Sequence, residues 1–199
     1  MVTKTDRIAG VWIGGVEPCS LSDFPNTVAA VLFTQGCNFR CAYCHNRALI
    51  SQEGGVSPQG ALELIWGRRG RLQGVVVTGG EPTLQPGLAS LLALLKGWDL
   101  RVKLDTNGSN PETLQGLISQ GLVDFIAMDV KAPPGRYHRV TGPGIDEEPV
   151  WRSIKMVASS GVPHLFRTTW DRELLSPQEV EAIAAAIPAG SPHILQERR

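Results

Sequence analysis

The sequence predicts an α/β fold in which helices cover a parallel sheet, built as a partial, open (β/α)6 barrel of the TIM type. Apolar runs alternate with helix-length segments along most of the 199 residues. These runs are continuous, as in strands that are buried on both faces. Six β/α units are two short of a closed eight-stranded barrel, so a doubly wound sheet is the alternative architecture.

Local signals place the individual elements. Strands rich in apolar residues are expected at 28–34, 74–78, 100–104, 123–130, 164–169 and 193–196. Helices are expected between them at 58–69, 86–97, 111–120, 148–160 and 177–187. Three helices begin with a capping residue followed by proline, namely at Ser57, Asn110 and Ser176. Helices that alternate with strands in this way indicate right-handed crossovers between parallel strands.

Two segments stand outside the repeat. Residues 1–27 contain scattered glycines and prolines and are expected to pack on the barrel as a short ribbon or loop. Residues 133–149, with three glycines and four prolines, are the one long loop. Long loops in compact domains are often functional. Because no linker is visible, residues 1–199 are expected to form a single domain.

Composition argues against several classes of function. Lysine plus arginine equals aspartate plus glutamate at 19 each, so charge gives no reason to expect a nucleic-acid partner. No apolar run has the length of a membrane span, and we expect no membrane association and a cytoplasmic location. Thiols stay reduced in the cytoplasm, so the four cysteines point to metal binding or catalysis.

Polar residues collect where the predicted strands end. Parallel β/α folds bind ligands at the carboxyl ends of their strands, so these residues are expected to share one site. Any one of them could be an ordinary cap or turn residue. The group comprises Gln35, Gly36, Thr78, Gly79, Gly80, Glu81, Asp105, Thr106, Asn107, Asp129, Lys131, Thr168 and Thr169.

Three cysteines follow the first predicted strand. Cys37, Cys41 and Cys44 have spacings of four and three residues, so their thiolates can converge on one inorganic cluster. A 4Fe–4S cluster usually takes four cysteines, and three would leave one iron open to a ligand. The alternative is a zinc site completed by His45, Cys19 or another histidine, but no second ligand pair is visible. Cys19 itself is expected to be a lone, packed side chain, because free cysteine behaves as a small hydrophobic residue.

The stretches that carry these residues resemble the radical S-adenosylmethionine (SAM) superfamily. They are TQGCNFRCAYCHN (34–46), VVVTGGEPTLQP (75–86), VKLDTNGSNP (102–111) and AMDVKAP (127–133), with SLSDFPN (20–26) resembling a leader. Among radical SAM enzymes they are most similar to glycyl-radical-enzyme activating enzymes, in particular those of anaerobic ribonucleoside-triphosphate reductase, relatives of pyruvate formate-lyase activating enzyme. A dinucleotide-binding loop is the other interpretation of Gly79–Gly80, but the spacing to Gly87 does not fit it.

The resemblance assigns roles to individual residues. Cys37, Cys41 and Cys44 would ligate a 4Fe–4S cluster and, with Lys131, form the catalytic set. Residues implied in SAM binding are Gly79, Gly80, Glu81, Asp105, Asn107, Asp129 and Lys131. Residues implied in holding a monovalent cation are Asp105, Thr106, Met128 and Asp129. The alternative for Asp129 and Lys131 is an ordinary salt bridge.

The resemblance also implies a reaction. A low-potential donor such as flavodoxin or ferredoxin would reduce the cluster, and SAM would be cleaved to a 5′-deoxyadenosyl radical that abstracts hydrogen from a glycine of a partner enzyme. Anaerobic ribonucleoside-triphosphate reductase is the expected partner. The alternatives are activation of pyruvate formate-lyase, radical chemistry on a small molecule, and a zinc-binding interaction module.

Overall fold

The computed structural model describes residues 9–53 and 55–198, and it contains one seven-stranded sheet. The strands lie side by side in chain order. The first pairs antiparallel with the second, and all the following pairs are parallel. The strands are β1 (Ile13–Ser20), β2 (Ala29–Thr34), β3 (Gly74–Gly79), β4 (Arg101–Thr106), β5 (Phe125–Asp129), β6 (His164–Trp170) and β7 (His193–Glu197).

Helices connect the parallel strands. They are α1 (Pro58–Arg68), α2 (Leu88–Gly97), α3 (Pro111–Ser119), α4 (Tyr137–Thr141), α5 (Glu148–Ser159) and α6 (Pro177–Ala186). The predicted capping residues Ser57, Asn110 and Ser176 each accept a hydrogen bond from the first turn of their helix. Two short 3-10 turns, Arg47–Leu49 and Pro82–Leu84, complete the described helical structure.

The predicted partial, open (β/α)6 barrel is confirmed. The six predicted strands appear as β2 to β7, with bounds that differ by at most two residues at either end. Within the described residues, β1 and β7 are the two edges of the sheet and do not pair with one another. The barrel is therefore open between these edges.

The sheet separates two apolar cores. The larger core lies between the sheet and the helices and includes Leu32, Val77 and Leu104. The smaller core lies on the opposite face, inside the barrel, and is built from Phe24, Ala29, Val31 and Val76 with Phe33 and Phe125 packed against them. Phe24 is fully buried, and its ring centroid lies 6.0 Å from that of Phe125.

The segments outside the repeat are more regular than predicted. Residues 13–20 form a strand, β1, where a ribbon or loop was expected, while residues 1–8 lie outside the described part. The loop at 133–149 contains the short helix α4. Among the described residues, no helix has both the length and the apolar character needed to cross a membrane.

Candidate active site

One cavity opens at the carboxyl ends of the strands, with a volume of about 380 Å³. Its walls bring together residues from β2 to β7 and from the loops that follow these strands. The predicted site residues that line it are Cys37, Cys41, Cys44, Thr78, Gly79, Gly80, Asp105, Thr106, Asn107, Asp129, Lys131 and Thr169. The cavity thus brings together Cys37, after β2, and Thr169, on β6, although the two residues are 132 positions apart in sequence.

Backbone hydrogen bonds fix the loop that carries the three cysteines. The amides of Gly36 and Cys37 donate to the carbonyls of Leu49 and Ile50, at 2.8 and 3.2 Å. The amides of Arg40 and Ala42 donate to the carbonyls of Thr141 and Val140, at 2.8 and 3.2 Å. The second pair of carbonyls belongs to α4, so the long loop at 133–149 helps to hold the cysteines.

The thiols lie in a partly buried environment. Burial raises the pKa of the Cys37 thiol to about 11, and burial also raises the pKa of Cys41 against the opposing charge of Lys131. The backbone amide of Phe39 donates to the Cys37 sulfur at 3.4 Å. Both thiols therefore carry protons at neutral pH until a metal displaces them.

The donor set fits an iron–sulfur cluster. Within residues 9–53 and 55–198, no three His, Cys, Asp or Glu side chains are gathered closely enough to ligate a single metal ion. All three thiols nevertheless line the same cavity. Three thiolates that each bind a different iron suit a 4Fe–4S cluster with one open iron. The zinc alternative gains no support from this arrangement.

Cys19 differs from its prediction. We expected a packed side chain, but Cys19 is exposed on β1, the edge strand. Alternation along that strand exposes Glu17 and Cys19, and the general tendency of free cysteines to be packed does not take the position in a strand into account.

The glycines after β3 allow two loops to touch. Gly79 has a φ of +112°, which side-chain-bearing residues rarely adopt. A Cβ atom on Gly80 would lie 2.2 Å from the carbonyl oxygen of Gly36, so only glycine fits there. The amide of Glu81 donates to that same oxygen at 2.8 Å. This contact joins the loop of the cysteines to the Gly79–Gly80 loop.

Glu81, which was expected to contact SAM, forms its hydrogen bonds within the protein. It is fully buried and is not among the residues that line the cavity. Its carboxylate accepts hydrogen bonds from the amide and hydroxyl of Thr83, the hydroxyl of Thr106 and the amide of Asn107, at 2.6 to 3.0 Å. Burial raises the pKa of Glu81, although these hydrogen bonds oppose the shift. In this arrangement Glu81 shapes the site by tying two strand ends together.

Asp105 and Asp129 lie on the inner face of the barrel and bind cationic side chains. Asp129 accepts from Lys131 Nζ at 2.8 Å and from Arg167 Nε at 2.9 Å. Asp105 accepts from Lys103 Nζ and, at 3.3 Å, from Arg167 Nη1. Burial disfavours the ionised form of Asp129, but the charges of Lys131 and Arg167 outweigh burial and lower its pKa to about 2. The salt bridge between Asp129 and Lys131, which was the alternative interpretation of these two residues, is therefore present.

The other expected site residues have separate roles. Asn107 lines the cavity and donates through Nδ2 to Asn38 at 3.0 Å. Thr106 also lines it, while its hydroxyl is bonded to Glu81. Met128 is fully buried and lies against Gly108, and it is absent from the cavity lining.

Sequence analysis missed three residues at this site. Arg167 and Tyr43 line the cavity, and Lys103 is buried beneath it beside Asp105. The hydroxyl of Tyr43 is buried without a hydrogen-bond partner among the described residues. Lys103 could have been found, because it stands two positions before Asp105 on a strand and so shares its face.

Comparisons with known proteins agree with this geometry. The sequence pattern of the radical SAM superfamily matches residues 31–187. The chain is 29% identical over 184 residues to a protein of Methanocaldococcus jannaschii provisionally named a glycyl-radical enzyme activating enzyme, covering 88% of this chain and 75% of that one. It is 28% identical over 196 residues to the pyruvate formate-lyase-activating enzyme of Streptococcus mutans, covering 89% and 70%.

A solved structure shows the same fold. SuiB of Streptococcus suis, bound to S-adenosylmethionine, superposes with a TM-score of 0.65 at 12% identity, over 82% of this chain and 38% of SuiB. The open barrel, the thiol-lined cavity and these matches define an enzyme that uses a 4Fe–4S cluster and SAM. The chain belongs to the radical SAM superfamily.

Proposed function

We propose that the chain cleaves SAM reductively and generates a glycyl radical on a partner enzyme, anaerobic ribonucleoside-triphosphate reductase. The observation that carries the proposal is that three thiols, the Gly79–Gly80 loop and Lys131 line one cavity at the open end of the barrel. The two relatives described above, matched over nearly nine-tenths of the chain, support the activating role through their names.

Each residue has a task in this proposal. Cys37, Cys41 and Cys44 hold the 4Fe–4S cluster, which supplies the electron that cleaves SAM. Gly79 and Gly80 let backbone approach the methionine part of SAM closely. Lys131, held by Asp129, offers a positive charge to the carboxylate of SAM.

The open side of the barrel suits a protein substrate. The described part of the sheet leaves β1 and β7 unpaired with each other, so the cavity is not enclosed by a complete ring of strands. A loop that presents a glycine could reach the cavity through this side. A low-potential protein such as flavodoxin or ferredoxin is the electron donor we propose.

Replacing one cluster ligand tests the chemistry. After anaerobic reconstitution with iron and sulfide, the Cys41→Ser variant should lose 5′-deoxyadenosine formation, because the cluster then lacks a ligand. The matched control is Cys19→Ser, an exposed cysteine outside the cavity, which should keep full activity. Unimpaired 5′-deoxyadenosine formation by Cys41→Ser would overturn the assignment.

A second experiment tests the partner. The reconstituted protein, SAM and a reductant are mixed in turn with anaerobic ribonucleotide reductase and with pyruvate formate-lyase, and glycyl radical is followed by electron paramagnetic resonance. A radical on the reductase alone supports the proposal, and a radical on the lyase alone contradicts the choice of partner. SAM cleavage with neither protein accepting the radical favours a small-molecule substrate.

A further inference from the structure

The expected monovalent cation is poorly matched to the charges in this barrel. Asp105 and Asp129 were expected to hold it, but each carboxylate oxygen of both residues already accepts a hydrogen bond from a cationic side chain. The donors are Lys103, Lys131 and Arg167. Three positive charges therefore face two negative charges before any ion is added.

The ion pairs are sheltered from solvent. The side chain of Lys131 is 14% exposed and that of Arg167 is 20% exposed, while Lys103 is only 5% exposed. Buried charges interact more strongly than surface charges, because less water screens them. An alkali ion placed among these groups would be repelled by three cations and would have to displace a donor from a carboxylate.

Lys103 is the distinctive member of the set. It lies on β4 two residues before Asp105, so both side chains point into the barrel. Asp105 is its one hydrogen-bond partner among the described side chains. Lys103 does not line the cavity, so contact with SAM does not explain why a charge is buried there. Burying an ammonium group is costly unless it neutralises a nearby carboxylate.

We propose that Lys103, together with Arg167 and Lys131, replaces the monovalent cation, so that this enzyme needs neither potassium nor sodium. Lys103 is a positioning residue in this proposal. Lys103 pairs with one carboxylate oxygen of Asp105, Oδ1. The other oxygen, Oδ2, binds Arg167 at the cavity wall.

The first measurement needs no cofactor. The melting temperature of the cluster-free protein is compared in potassium, sodium and choline chloride at equal ionic strength. The wild type should melt at the same temperature in all three salts. The Lys103→Met variant should melt at a higher temperature in potassium or sodium than in choline, because an ion can then neutralise Asp105. An equal response of Lys103→Met to all three salts would overturn the role of Lys103.

A matched control separates this effect from ordinary salt-bridge loss. Lys96 pairs with Asp124 at 2.6 Å outside the cavity, so Lys96→Met removes a lysine–aspartate pair of the same kind. That variant should remain indifferent to the choice of cation. Lys103→Arg keeps the charge and should behave like the wild type, so a melting temperature of Lys103→Arg that depends on the choice of cation would contradict the role of the charge at position 103.

The second measurement uses the reconstituted enzyme and rests on the proposed SAM cleavage. The rate of 5′-deoxyadenosine formation by the wild type should change less than about twofold when choline replaces potassium. A fall of about tenfold or more in choline would show that the ion is required and would overturn the proposal. If no 5′-deoxyadenosine forms in any salt, the proposed function fails, while the melting comparison still decides the question of the cation.

Discussion

At the scale of single residues, the contact between Gly80 and Gly36 limits which residue can occupy position 80. A methyl group on Gly80 would meet a backbone oxygen, which cannot move aside as a side chain can. Two loops from neighbouring strands depend on this one contact. Glycine at this position is therefore required by steric fit rather than by flexibility.

The Gly80→Ala substitution should lower the free energy of unfolding by at least about 2 kcal/mol and reduce the cluster content, because the two loops must separate to make room for the methyl group. Gly67 in α1 has open space around it, so Gly67→Ala should leave cluster content unchanged and raise stability by about 0.5–1 kcal/mol. Urea unfolding and iron analysis measure both effects. Normal iron content and stability in Gly80→Ala would contradict the contact.

The residues at the site differ in how far sequence revealed them. The three thiols and the glycines Gly79 and Gly80 belong to motifs with fixed local spacing, so their position in one shared cavity could be predicted. The hydrogen bonds of Glu81 were not predicted, because its partners Thr106 and Asn107, at the end of β4, lie 25 and 26 positions away. Arg167 was missed for the same reason, since its carboxylate partners lie on other strands.

At the scale of elements, helix ends illustrate what local sequence determines. Ser176 accepts from the amide of Glu179, and the Glu179 carboxylate accepts from the amide of Ser176, which forms a capping box at α6. Local chemistry fixes this helix start, and the prediction from sequence was confirmed. The helix α4 was missed because its five residues follow a segment rich in glycine and proline.

Ser176→Ala should lower stability by about 1 kcal/mol, because an amide of the first turn loses its acceptor. The hydrogen bond from the Ser176 amide lowers the pKa of Glu179, so its contribution is present at neutral pH. It is lost as the pH falls through the lowered pKa, where the carboxylate gains a proton. Urea unfolding at neutral and acidic pH measures both effects. A loss from Ser176→Ala well below about 0.5 kcal/mol at neutral pH would contradict the cap.

The segment before β2 fills part of the interior of the barrel. Phe24 packs among the inner residues of the strands, and the guanidinium carbon of Arg101 lies 4.9 Å from the centre of its ring. The sequence pattern predicted that this segment packs on the barrel. It did not reveal that an aromatic ring enters the interior, since that depends on the space left by distant strands.

Phe24→Ala should lower the free energy of unfolding by about 3–5 kcal/mol, because it leaves a cavity in the inner core. Leu21, in the same segment, is 79% exposed, so Leu21→Ala should change stability by less than about 0.5 kcal/mol. Chemical unfolding compares the two variants. Equal effects would show that Phe24 does not support the barrel.

At the scale of the whole molecule, binding at the cavity should stabilise the entire fold, because the cavity draws on strands from β2 to β7. For the reconstituted protein, SAM at one hundred times its Kd should add about 2.7 kcal/mol. For a chain of this length, that corresponds to a rise in Tm of about 5–10 °C. Thermal unfolding with and without SAM measures the rise. S-adenosylhomocysteine is a useful comparison, and an unchanged Tm with SAM would argue against binding in this cavity.

The hydrogen bonds between the cysteine loop and α4 couple the local opening of these two segments. The amides of Arg40 and Ala42 are bonded to carbonyls of α4, and the two segments are about one hundred residues apart in sequence. Neither amide can exchange its proton with water unless that contact opens. The cysteine loop and the segment 133–149 should therefore exchange with one common rate, as a single cooperative unit, and a molecule that docks on α4 would slow exchange at the cysteines without touching them.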